Sequence, residues 1–150
     1  MKKTKTFLKV ITLWYNLSMD NVSHEDLYEP RPKLGTVCYF LGAIDSLCQR
    51  WDMDDASFAE LSVKFFMNKE QYFFNDIANH VLMNYFGKNH RVEFATISMV
   101  IGGNAFRDWI DSSEPSSTAT ETLSELITEW KKKPNLGVDE VPLMTKIDEE

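Results

Sequence analysis

A chain of 150 residues has the length of one ordinary domain, enough to hide roughly two-thirds of the surface that its unfolded form exposes. Its 43% hydrophobic, 13% aromatic and 26% charged residues exclude global disorder and predict a single heavy core. The net charge of -7 is uneven: residues 134–150 carry -4 of it, and the -3 left on residues 1–133 offers no basic surface to drive nucleic-acid binding.

Lys2, Lys3 and Lys5 followed by an apolar stretch from Val10 to Leu17 imitate a secretion signal, but Lys9 interrupts the run and no small-x-small cleavage site follows. The segment reads instead as a retained helix that buries Phe7, Val10, Ile11, Trp14 and Leu17. Its opening turn is weakened by lysines at the positive end of the helix dipole. Residues 20–34 read as a loop, with Pro30 and Pro32 forcing extended backbone around Arg31.

The clearest apolar seam is Val37, Phe40, Leu41, Ile44, Leu47 and Trp51, whose steps of three and four predict a helix over 36–51. If Trp51 ends a buried seam, Trp51→Ala costs about 3–5 kcal/mol. Gly42 and Ala43 offer a place where another helix approaches closely. Cys38 and Cys48 lie about 15 Å apart in such a helix, and a disulfide needs alpha carbons within about 7 Å. Both therefore read as reduced core residues of a cytoplasmic protein.

Asp54 or Asp55 caps a helix over 55–67, with Ser57 and Glu60 as a competing capping box. Asn68 and Gln71 signal another start, and 69–86 read as a helix closed by Gly87. Phe74, Ile77, Ala78, Val81, Leu82 and Tyr85 line its main face. Val92, Thr96, Met99, Gly103, Phe106 and Ile110 keep helical steps over 91–109, where Gly102 and Gly103 mark a kink, a break or a tight helix crossing. After a loop at 112–117, Thr118 and Glu121 form a capping box for a helix that buries Leu123, Leu126, Ile127 and Trp130 and ends at Lys131, Lys132 and Lys133.

These elements predict an all-α, single-domain helical bundle of five or six helices over residues 1–133, with a flexible acidic tail over 134–150. No apolar run reaches the length of roughly eighteen residues that crosses a membrane.

Chemistry is weakly signalled. There is no Gly-x-Ser-x-Gly elbow, neither cysteine has a histidine nearby in sequence, and His24, His80 and His90 lack metal-ligand spacing. Asp52, Asp54 and Asp55 lack the glycine and distal glutamate of a calcium loop. The sequence thus predicts no catalytic residue, metal or cofactor. Asp76 and His80 sit four apart on a helix, and Asn104, Arg107, Asp108 and Asp111 form a polar stripe with an Arg107–Asp111 pair and an Asn104–Asp108 bond.

Adjacent aromatics on a helix point about 100° apart, so Phe65 and Phe66, like Phe73 and Phe74, cannot share one face. Phe65, Phe66, Tyr72 and Phe73 are therefore the candidate partner-binding surface. The favoured expectation is a non-enzymatic protein-interaction domain that self-associates, most simply as a dimer, with a different protein as the other kind of partner. The alternative is a small-molecule binder with an aromatic-lined pocket, in which Asp76, His80 and Asn104 orient the ligand.

Overall fold

Pro30 and Pro32 begin a helix rather than interrupt a loop. The first turn of a helix leaves its N–H groups without intrahelical acceptors, so residues that lack an N–H cost nothing there. Glu29, which precedes Pro30, is extended at φ -86 and ψ 141, as proline demands of its predecessor. Arg31, between the two prolines, is buried: its backbone N–H donates to Pro134 O at 2.8 Å and its Nε to Lys133 O at 2.7 Å. The helix expected over 36–51 thus starts at Pro30, which corrects the reading of 20–34 as a loop.

The computed structural model describes residues 2–86, 93–112 and 117–137. Six helices follow one another, α1 (Lys2–Met19), α2 (Pro30–Arg50), α3 (Asp55–Met67), α4 (Asn75–Phe86), α5 (Glu93–Asp111) and α6 (Ser117–Trp130), with short 3-10 turns at His24–Tyr28 and Tyr72–Phe74. No strand occurs among the described residues, and the chain is an all-α single domain. Nor is any helix among them long and apolar enough to cross a membrane. The expected Gly87 cap, His90, the Thr118 side chain of the expected capping box and the tail from 138 onward lie outside the described residues.

Helix α2 is the axis of the fold. From Leu34 to Cys48 every residue except Asp45 is buried, because the other five helices all pack on α2. Its most extensive contact is with α5. A Cβ built on Gly42 would stand 1.9 Å from Met99 O, and one on Gly102 2.0 Å from Tyr39 O. The two backbones touch where either helix has no side chain, so the glycines mark a tight crossing, and α5 runs unbroken through it.

The buried face of α1 is Phe7, Ile11, Trp14, Tyr15 and Ser18. Leu17, expected inside, is 38% exposed, and Val10 is half-buried. The face is turned toward Tyr15, which packs against Phe40 at 4.8 Å and Phe65 at 5.6 Å between ring centroids. Asp54 caps α3 as expected, accepting the Ser57 N–H at 2.8 Å. Asn68 and Gln71, however, close a turn instead of opening a helix. Asn68 Oδ1 accepts the Glu70 N–H at 3.1 Å and Asn68 O accepts the Gln71 N–H at 3.0 Å, so α4 starts only at Asn75.

Helix α2 ends with Met53 N–H donating to Cys48 O at 2.8 Å and with Asp52 at φ 59, a left-handed stop that usually falls to glycine. Trp51 is the half-buried C-cap residue, packed edge-on against Phe7 at 5.6 Å. It lies beside the core rather than inside it.

Three outcomes follow from this packing. Gly42→Ala and Gly102→Ala gain about 1 kcal/mol of helix propensity each, yet drive a methyl group into facing backbone. Denaturant titration is expected to show a net loss of about 3 kcal/mol or more for either, at the upper end of overpacking costs. With Trp51 only half-buried, Trp51→Ala is expected to cost about 1–2 kcal/mol, below the range for a fully buried tryptophan. The third concerns the thiols.

Burial pushes Cys38 from 9.0 up to about 12 and, with help from Asp45 and Asp54, Cys48 up to about 11. The unfolded chain releases these protons at lower pH than the native one. The stabilisation is complete below the unfolded value and drains away as pH rises toward the folded value. Melting temperature is thus expected to fall as pH climbs from 9.0 toward about 12, and to fall less steeply in Cys38→Ala.

Candidate functional site

Where two helices meet through glycine, the side chains on either flank of the contact stand apart and leave a cleft. Beside the α2–α5 crossing its volume is about 270 Å³. Asp45, Ser46 and Gln49 of α2 form one wall; Thr96, Met99, Val100 and Arg107 of α5 form the other, and Gly42 and Gly103 lie at the floor. One end is polar and the other carries methyl and thioether groups.

The polar end is held by a bonded chain that crosses the helix pair. Ser46 Oγ donates to Gly103 O at 3.2 Å and accepts from Arg107 Nη1 at 3.1 Å, while Arg107 Nη2 donates to Asn104 Oδ1. Asn104 thus steadies Arg107 instead of bonding Asp108. The expected Arg107–Asp111 pair is also replaced: Ser46 draws the guanidinium across the cleft, and Asp111 pairs with Arg50 at the end of α2.

Asp45 is the one half-exposed residue on the buried stretch of α2. Desolvation raises its carboxyl above the ordinary range, and the charge of Asp55 adds to this; Gln49 Nε2, donating to Oδ2 at 2.9 Å, and the positive charge of Arg107 act the other way. No ion pair joins Asp45 to Arg107 among the described residues. The cleft therefore presents a carboxylate and a guanidinium that do not satisfy each other.

Of the three expected pocket residues, only Asn104 reaches this cleft, through Arg107. Asp76 and His80 lie on α4 and line none of it. Asp76 is exposed, while His80 is half-buried, its Nδ1 without a partner among the described residues. The walls of this cleft are aliphatic and polar, with no aromatic side chain among the described residues that line it. Sequence reasoning missed Asp45, Ser46 and Gln49 because a helix wheel of α2 shows them as flanks of a seam, and only the crossing sets them opposite Arg107.

The expected partner surface divides in two. Phe65 and Phe66 are buried, 2% and 1% exposed, and cannot face a partner. Neighbours on one helix turn both reach the core because α3 lies between two layers: Phe65 meets Tyr15 and Phe40, and Phe66 meets Phe74. Tyr72, by contrast, is 59% exposed, and Phe73 is half-buried.

Phe73 packs with Tyr28 at 5.4 Å and His24 at 5.1 Å, and Lys33 Nζ sits 4.1 Å over its ring. Tyr28 is 68% exposed. His24, Tyr28 and Phe73, with Tyr72 next in the chain, form an aromatic ridge built from the two 3-10 turns. Tyr28 and His24 carry no signal in sequence that would pair them with Phe73.

Among the described residues no group of three His, Cys, Asp or Glu side chains is arranged to hold a metal ion. Comparison with protein-family models, with curated proteins and with solved structures returned no significant match.

Proposed function

We propose that this chain is a non-enzymatic, cytoplasmic protein-interaction domain that pairs with a second copy of itself through the ridge of Tyr28, Tyr72, Phe73 and His24. The supporting observation is that Tyr28 and Tyr72 each leave more than half of their surface to solvent, Tyr28 packed on the ring of Phe73, which is anchored on the buried Phe74, and Tyr72 preceding Phe73 in the chain. Exposed tyrosine on a rigid base is characteristic of interface centres, since it offers area at little entropic cost.

The rim favours a second copy over an unlike partner. Glu25, Glu29 and Glu70 stand near the ridge in sequence together with Lys33 and Lys69, so both signs of charge flank it. A two-fold contact sets each patch against itself, and a rim of mixed sign matches itself, whereas a rim of one sign would be repelled. Phe73 sits beneath Lys33, which gives the centre a cation–π contact as well.

Sedimentation equilibrium across micromolar to millimolar concentrations is expected to show a monomer–dimer equilibrium. Tyr28→Ala combined with Tyr72→Ala is expected to weaken the dimer at least tenfold while leaving the melting curve of the monomer in place, since both side chains are mostly in water. A strict monomer throughout, or a dimer indifferent to the double substitution, refutes the reading.

A further inference from the structure

Asp45 and Arg107 face one cleft from two helices, and among the described residues no ion pair joins them. Each is nonetheless fixed. Gln49 occupies Asp45 Oδ2 and leaves Oδ1 available, while Ser46 and Asn104 take one donor from each Nη of Arg107. A guanidinium carries five N–H donors in a planar fork, so three remain.

On the α5 wall the cleft is also lined by Met99 and Val100, and Val100 is 55% exposed. Its volume of about 270 Å³ falls just below the range of ligand sites, which begins at around 300 Å³. That suits a molecule of about ten heavy atoms better than a nucleotide-sized or polycyclic one.

We infer that the α2–α5 cleft binds a small zwitterion with an apolar side chain, of the chemical class of an aliphatic α-amino acid. The carboxylate of the ligand takes the remaining donors of Arg107, its ammonium meets Asp45 Oδ1 and the Gln49 side-chain carbonyl, and its hydrocarbon lies along Met99 and Val100. Arg107 and carboxylate match in planar geometry, which gives the contact direction as well as charge. A positive group beside Asp45 offsets the desolvation that Gln49 and the charge of Arg107 only partly relieve, and the charge of Asp55 strengthens the same attraction.

Neither half of such a ligand suffices. An anion alone leaves Asp45 as a repulsive neighbour, and a cation alone meets Arg107. Requiring both charges is how the site discriminates.

The test uses leucine as the probe, with isocaproate, which lacks the ammonium, and isoamylamine, which lacks the carboxylate. Titration followed by two-dimensional amide NMR on the full chain is expected to give saturable shifts with leucine in the millimolar range, the affinity that a ligand of nine heavy atoms commands. These shifts are expected to centre on residues 45–49, 96–100 and 103–107. Both single-charge analogues are expected to bind at least tenfold more weakly, and Asp45→Asn and Arg107→Gln are each expected to reduce leucine affinity at least tenfold while keeping a dispersed spectrum.

Absence of any leucine shift in the cleft overturns the inference. So does isoamylamine or isocaproate binding as tightly as leucine, which marks a simple acidic or basic patch. The ridge takes no part in this titration, and its double substitution leaves the expected shifts unchanged.

Discussion

The contact on which the fold turns is the meeting of two backbones, Gly42 of α2 against Met99 of α5 and Gly102 of α5 against Tyr39 of α2. Three glycines in helix interiors lower the intrinsic helicity of both segments by about 1 kcal/mol each. What offsets that loss is proximity. At this separation main-chain atoms of one helix lie against those of the other, the Ser46 hydroxyl reaches Gly103 O, and dispersion contacts form along the whole seam. With α5 this close and four other helices packed around it, α2 is buried along its middle except at Asp45, and the large side chains that would normally fill a helix interface are displaced to its flanks. On one flank Trp14 gathers Phe106 at 5.8 Å and Trp109 at 5.3 Å; on the other the polar cleft opens.

The displaced aromatics form a connected spine. From Trp109 it passes through Trp14, Tyr39, Phe40, Phe65, Phe66 and Phe74, and it surfaces at Phe73 and Tyr28, with ring centroids between 4.9 and 6.4 Å apart at each step. The aromatic abundance of the sequence is thus mostly structural, and only the last members are available for anything else. This separates two meanings of an aromatic pair on a helix. Phe65 and Phe66 diverge because α3 has core on two sides, whereas Phe73 and Phe74 diverge because the turn lies at the boundary between core and solvent.

That distinction explains what was legible in the sequence. Periodicity located α3 at 55–67 and placed α5 within two residues at either end, and Gly42 stood out as a place of close approach, while Gly102 and Gly103 left a tight crossing as one of three readings. These features are written in single segments. The start of α2 was hidden because proline in a first turn and proline in a loop look alike until the partner of Arg31, the segment at Lys133 and Pro134, is in place. The cleft was hidden for the same reason: Ser46 and Arg107 are 61 residues apart and become neighbours only through the crossing. His24, Tyr28 and Phe73 likewise converge from separate turns. In each case the missing information was tertiary, and no reading of local pattern contains it.

The two surface features that remain after the core is accounted for lie on the same rod. Lys33, which covers Phe73, and Asp45, which faces the cleft, are both on α2. Twelve residues of helix set them about 18 Å apart along its axis. A ligand of amino-acid size in the cleft does not span that distance, so it cannot touch a partner seated on the ridge. Any influence of one on the other has to pass through α2 itself, which is enclosed by five helices and cannot shift at the crossing without forcing backbone into backbone. For the proposed pairing at the ridge and the proposed recognition in the cleft, this geometry favours independence. A dimer whose dissociation constant is the same with and without saturating leucine is its direct signature.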